Sequence, residues 1–314
     1  MIGTVHVRAC GVVLWLAGAC AAPGRPALQV AHLGRDGGDP AGVTAIAAAF
    51  AQHNPGHALA YLPACSGLAA GTAVRMLFVQ TGRATATVSA RPEPRCSELT
   101  VGDLMVLRPG ASLSLSAPCG LLAFTLSNAP DDAVPEFIRP DWDPRITDTP
   151  GGCATETGAY RRILLTWRGE NGPYTFHGLN AHRVRITDSF THYHPLRGGF
   201  DEFYLVQMVQ PGARILTSDR VAAIEQPATV TAAAAADLLQ STALQVGDLV
   251  YLPRGLAHRG LGGVLAQVIT VPGFVPGAEI GLDHHLRAID ERLGLAGAAA
   301  LPFHEAGSHG PVVR

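Results

Sequence analysis

Charge is scarce in this chain: only 15% of residues are Asp, Glu, Lys or Arg, and the formal net charge is -2. No basic stripe or Lys/Arg run appears, so the electrostatic footprint of a DNA- or RNA-binding protein is missing and no nucleic-acid partner is expected. No helix-turn-helix pattern stands out either, which argues against a DNA-bound regulator. The apolar run near the N-terminal end, Ala9 to Ala19, has 11 residues, about half the 20 or so that a membrane-spanning helix needs. None of the six cysteines forms a Cys-x-x-Cys pair, which excludes the usual cysteine-built zinc site.

What the chain does have is turn chemistry. With 36 Gly, 23 Pro and 47% apolar residues, it reads as many short strands joined by tight turns rather than as long helices. A length of 314 residues suffices for two modest domains, each with its own core. Arg8, the apolar stretch after it and the small residues through Ala22 have the layout of a secretory signal over residues 1–22. Export to the periplasm or medium is therefore expected, with Cys20 as a lipid-anchor candidate. A cytoplasmic chain with an N-terminal strand or a misplaced start is the alternative. In an exported chain Cys65, Cys96, Cys119 and Cys153 are candidates for two disulfides; in a cytosolic one they are buried thiols.

The chain echoes itself. Leu99-Thr-Val-Gly-Asp-Leu-Met-Val-Leu-Arg-Pro-Gly110 reads against Leu244-Gln-Val-Gly-Asp-Leu-Val-Tyr-Leu-Pro-Arg-Gly255, and upstream Leu77-Phe-Val-Gln80 reads against Tyr204-Leu-Val-Gln207. Alternating stretches such as Ala84-Thr-Ala-Thr-Val88 put successive side chains on opposite faces of a sheet. Two copies of one β-unit in tandem follow, expected as domains 23–128 and 159–278. A Pro-, Asp- and Gly-rich linker lies between them at 129–158, and a helix and tail fill 279–314. Leu282, Leu286, Ile289 and Leu293 give that helix one apolar face. A second helix is expected at Ala232 to Leu239.

The second copy carries a ligand constellation. His192 and His194 are two apart on a strand, so both imidazoles face one way. Glu202 adds a hard oxygen at the start of the next apolar strand, and His258 follows the turn at Pro253 and Gly255. Three nitrogens and a carboxylate suit Fe, Mn, Ni or Zn. The segments resemble the paired signature of the cupin superfamily, H-x-H with a following Glu and then G-x5-P-x-G-x2-H. The second motif, Gly247 to His258, matches at every defined position. The first departs from the pattern: seven residues separate His194 from Glu202, where the family has three or four. The reading is a loop insertion at Leu196–Phe200, with Asp201 a rival to Glu202.

The resemblance implies an all-β fold of two tandem double-stranded β-helix (jelly-roll) barrels with a short C-terminal helix. It also implies one divalent ion, with Fe or Mn favoured over Zn or Ni, on His192, His194, Glu202 and His258. At the matching positions the first copy carries Arg75 and Leu113, so a structural role is expected for it. Open coordination positions would suit a metal-dependent enzyme acting on a small oxygen-rich molecule, with dioxygenase-type oxidoreductase chemistry favoured. The alternatives are a sugar-acid isomerase of the 5-deoxyglucuronate isomerase type and a non-catalytic binding barrel. No catalytic residue is assigned. Arg197, Arg254 and Tyr204 are candidate substrate contacts. His177 and His182 precede the metal strand and read more readily as satisfied histidines than as functional ones. Pairing through edge strands makes a homodimer the expected oligomer.

Overall fold

The computed structural model describes residues 25–34, 38–89, 93–150 and 160–314. The expected signal segment, Cys10, Cys20 and Cys153 lie outside them, as does the end of the Pro/Gly-rich linker.

Strand β1 (Gln29–His32) and helix α1 (Pro40–His53) come first. They lead into β2 (Ala58–Leu68), β3 (Val74–Thr81), β4 (Ala84–Ser89), β5 (Arg95–Leu99), β6 (Leu104–Leu107), β7 (Ser112–Leu126) and β8 (Phe137–Ile138). The second half holds β9 (Arg161–Leu165), β10 (Asn180–Asp188), β11 (His192–Tyr193), β12 (Asp201–Val209) and β13 (Arg214–Ser218). Two one-turn helices, α2 (Val221–Ile224) and α3 (Ala232–Ala235), precede β14 (Gln240–Ala243), β15 (Asp248–Leu252), β16 (Ala257–Val271), β17 (Ile280–Gly281) and α4 (Asp283–Leu293).

All strand pairings are antiparallel and fall into two sheets, one around β7 and one around β16. Each of these long strands curls so that its two ends serve different partners. β7 pairs with β2 along most of its length and with β4 at its start and β3 toward its end, and β16 pairs with β13 at its start and with β10 and β12 beyond. This is how a single sheet closes into a jelly-roll barrel. The fold is therefore all-β, two such barrels in tandem.

The internal echo is a repeated turn. Gly102 and Gly247 both sit at φ near +97° (97° and 96°), a region that only glycine enters freely. Behind each, the Asp103 and Asp248 carboxylates accept from the backbone N–H of Thr100 and Gln245. The same Gly-Asp pair thus makes the same corner in both barrels.

Strand parity sorts the side chains. On β3, Leu77 and Val79 fill the first barrel while Val74, Met76 and Phe78 face a core shared with the second. On β12, Tyr204 and Val206 fill the second barrel while Phe203 and Leu205 face the shared core. Polar side chains stitch the same interface. Gln80 donates to the Val206 carbonyl at 2.9 Å and Gln267 to the Gly102 carbonyl at 2.8 Å.

Three findings differ from the sequence reading. β1 does not stay with the first repeat: it adds to the edge of β15, pairing Gln29 with Tyr251 through His32 with Asp248. Helix α1 was not expected, although Asp39 caps it by accepting from the Gly42 N–H at 2.8 Å and Pro40 opens it. The Ala-rich helix ends at Ala235 rather than Leu239, because Leu239 leads directly into edge strand β14. The last helix forms as expected, with Leu282, Leu286 and Ile289 buried against the barrel.

Candidate metal centre

His192 opens β11 and lies opposite His258 on β16, in direct register. Glu202 is the second residue of β12, opposite Leu252 on one side and Thr270 on the other. His194 follows β11 at the turn into the inserted loop. The four side chains are at most 1% exposed, and one ligand atom from each lies within 4.8 Å of the others. His258 Nε2 is 3.4 Å from one Glu202 oxygen and His194 Nε2 is 3.9 Å from the other. Such separations match donors sharing one ion at bond lengths of about 2.0–2.2 Å.

The donor atoms are also aimed at one place. His192 Nδ1 bonds the Phe190 carbonyl at 3.1 Å and His258 Nδ1 the Leu256 carbonyl at 3.2 Å. These bonds place the proton on Nδ1 and leave Nε2 a lone pair. A backbone hydrogen bond at Phe200 does the same for His194. Nε2 of all three histidines and one Glu202 oxygen are buried with no protein hydrogen-bond partner. Four unpartnered acceptors facing one another would be strongly unfavourable in a finished core; a cation resolves all four at once. Burial, then the neighbouring imidazoles, holds the pKa of His192 and His194 well below the ordinary histidine range, so both are neutral, as ligands must be. The residues fit a divalent ion.

Neighbouring groups hold the ligands in place. Phe190 stacks on His192 at 4.5 Å between ring centres, and Phe200, the last residue of the inserted loop, packs on His194 at 3.9 Å. The Gly255 N–H donates to the His194 carbonyl, with Gly255 at φ +89°. The Pro-x-Gly turn of the second motif thereby clamps the first.

Asp201, the rival carboxylate, points the other way. Adjacent residues of a strand face opposite sides, and Asp201 faces α1. Its oxygens accept from the Arg254 backbone N–H (2.9 Å), Arg254 Nε (3.0 Å), Tyr251 OH (2.8 Å) and Asn54 Nδ2 (2.7 Å). The same network holds the Arg254 guanidinium, which Asp201 and Asn54 engage, and Arg254 is not among the residues that line the cavity described below. Arg197 is exposed on the inserted loop and lines no part of it. Tyr204 is fully buried inside the barrel, one row deeper than Glu202. In the first barrel, Arg75 donates to the Ala69 and Ala111 carbonyls and Leu113 lies in the apolar core. No second cluster of this kind occurs among the described residues.

A cavity of about 320 Å³ opens onto Glu202. Its floor is two rows of cross-strand partners: Asn180–Thr270–Glu202, then His182–Val268. Asn180 and His182 share the face of β10 that carries Val184 and Ile186 into the barrel, so strand parity would have found them. Arg161 from β9 and Arg314, Glu279, Trp167 and Phe274 from flanking segments complete the wall. Nothing in the metal motifs signals those five. His182 therefore belongs to the cavity, against the sequence preference, while His177 lines a different cleft.

No helix of the described residues is long and apolar enough to cross a membrane. No protein-family model matches the chain, and no curated protein matches it in sequence. Among solved structures it is similar to Bacillus subtilis oxalate decarboxylase, a protein with Mn(II) centres, at 12% identity over 77% of each chain with a TM-score of 0.45. It is also similar to Lactobacillus farciminis oxalate decarboxylase in its formate complex (14% identity, 80% of this chain and 85% of that one, TM-score 0.46) and to hazelnut (Corylus avellana) vicilin (11% identity, 69% and 75%, TM-score 0.44).

Proposed function

We propose that this chain is a cupin-type enzyme that uses one divalent ion, manganese or iron, to act on a small oxygen-rich molecule by oxidoreductase chemistry. The observation that carries the reading is the set of four unpartnered donor atoms on His192, His194, Glu202 and His258, placed beside a cavity that shares Glu202. A storage or scaffold barrel has no use for four aligned lone pairs. A bound ion would polarise a substrate oxygen and, if redox-active, exchange electrons. The chain's own groups do the rest. Trp167 and Phe274, stacked at 4.1 Å, wall the cavity with apolar surface and exclude water. Burial, then the Glu202 charge, pushes the Glu279 carboxyl up to about 7, so it can hold or release a proton near neutral pH.

That carboxyl supports a second reading, metal-assisted isomerisation, which needs a proton-transferring group but no oxidant. Anaerobic loading with Fe(II) or Mn(II), followed by oxygen uptake with candidate diols and hydroxy acids, separates the two. Substrate-dependent oxygen consumption supports the oxidoreductase. Turnover that is indifferent to oxygen and equal with Zn(II) supports the isomerase. No turnover with any ion and normal function of His258→Ala would leave a barrel that only binds.

A further inference from the structure

The cavity beside the metal centre carries a recognition pattern of its own. Three arginines line it: Arg161, Arg314 and the exposed Arg168, which lies 4.0 Å from Glu170. Arg161, 8% exposed, projects from β9. Arg314 is held by backbone hydrogen bonds between its N–H and the Glu279 carbonyl (3.0 Å) and between the Glu279 N–H and its own carbonyl (3.1 Å). Its guanidinium lies 4.6 Å over the Phe190 ring, the ring that stacks on His192, so this cation is anchored against the ligand shell rather than free in solvent. Three further polar atoms in the wall are buried and lack a protein partner: Trp167 Nε1, Thr270 Oγ1 and Asn180 Oδ1. Asn180 is 2% and Thr270 4% exposed. Orphaned buried groups of this kind are rare unless something else satisfies them.

Their chemistry specifies what that is. Arginine forks match carboxylate geometry, and the indole N–H can only donate, so it calls for an acceptor. Asn180 turns its amide nitrogen to His182 at 3.2 Å, which leaves its carbonyl oxygen requiring a donor such as a hydroxyl. The stacked Trp167–Phe274 pair offers an apolar face. Resting on the metal-centre reading above, we infer that the cavity takes a small hydroxycarboxylate. Arg161 and Arg314 hold its carboxylate, Asn180 accepts from its hydroxyl, and its apolar part lies on Trp167 and Phe274.

Titration calorimetry with three probes on the full chain tests the assignment. Mandelate carries both groups, mandelamide lacks the charge, and phenylacetate lacks the hydroxyl. The titrations are run on metal-loaded and on chelator-treated protein. Mandelate is expected to bind about tenfold or more tighter than either analogue. Arg161→Gln and Arg314→Gln are each expected to lose that preference while mandelamide binding changes less than about twofold. Arg161→Lys, which keeps the charge, guards against a variant that merely folds poorly, and is expected to retain part of it. Equal affinity for mandelate and mandelamide, arginine variants that bind mandelate normally, or no binding of any probe at millimolar concentration would each overturn the assignment. A chain that takes up no ion but keeps the arginine-dependent preference would refute the metal reading alone.

Discussion

At the scale of single residues, the neighbours Asp201 and Glu202 show how parity divides labour. Both are buried acids, yet one serves the ion site and the other a hydrogen-bonded network between barrel and helix. Asp201→Ala should therefore leave metal stoichiometry intact while lowering stability by about 3–5 kcal/mol, the usual result of stripping one partner from a buried charged network. Urea unfolding beside elemental analysis checks both halves of that statement.

Glu279 gives a pH signature. Its folded pKa is raised to about 7 from an ordinary 4.5. The native state therefore keeps a proton that the unfolded chain releases, and stability falls as pH rises across that window. Glu279→Gln removes this loss. In chelator-treated protein the variant should gain on the wild type by up to roughly 3 kcal/mol between about pH 4.5 and 7. A difference in unfolding free energy that stays constant with pH would contradict it.

The four candidate ligands were legible in the sequence because imidazoles and carboxylates at fixed strand and turn spacings leave few alternatives. Arg161, Arg314 and Glu279 were not. They come from three segments outside the motifs and meet only once the barrel closes. Arg254 flanks a ligand in sequence, but from its turn before β16 the guanidinium engages Asp201 and Asn54.

At the scale of elements, helix α1 ties the two barrels together. Phe50, fully buried, meets Phe124 of the first sheet edge-on at 5.8 Å and Phe203 of the second at 5.3 Å. Four residues on, Asn54 bonds both Asp201 and Arg254. Phe50→Ala should destabilise by about 3–5 kcal/mol through the cavity it leaves. It should do so as one cooperative transition, since the ring belongs to both halves of a shared core; a biphasic curve at unchanged midpoint for the second barrel would show that the helix serves the first barrel alone. The helix announced itself by an Asp-Pro start, a local signal that the surrounding β-pattern masked. The crossing of β1 to the edge of β15 had no local signal, because strand partners are chosen by the closed barrel and not by neighbouring residues.

At the scale of the whole molecule, the two β-units fill their barrels differently. The first fills its barrel with Leu77, Val79, Leu113 and their neighbours, while the second keeps four donor atoms and a cavity at one end of its own. The first contributes rigidity through the shared aromatic core and the Gln80 and Gln267 bonds, which fixes β12 and hence Glu202. The proposed centre holds one ion on His192, His194, Glu202 and His258. Elemental analysis of the full chain reconstituted with Mn(II) or Fe(II), beside Glu202→Ala and Asp201→Ala, tests it most directly. About one equivalent of metal per chain is expected, lost in Glu202→Ala and kept in Asp201→Ala. Failure to take up any divalent ion, or loss on the Asp201 change with retention on the Glu202 change, would contradict it.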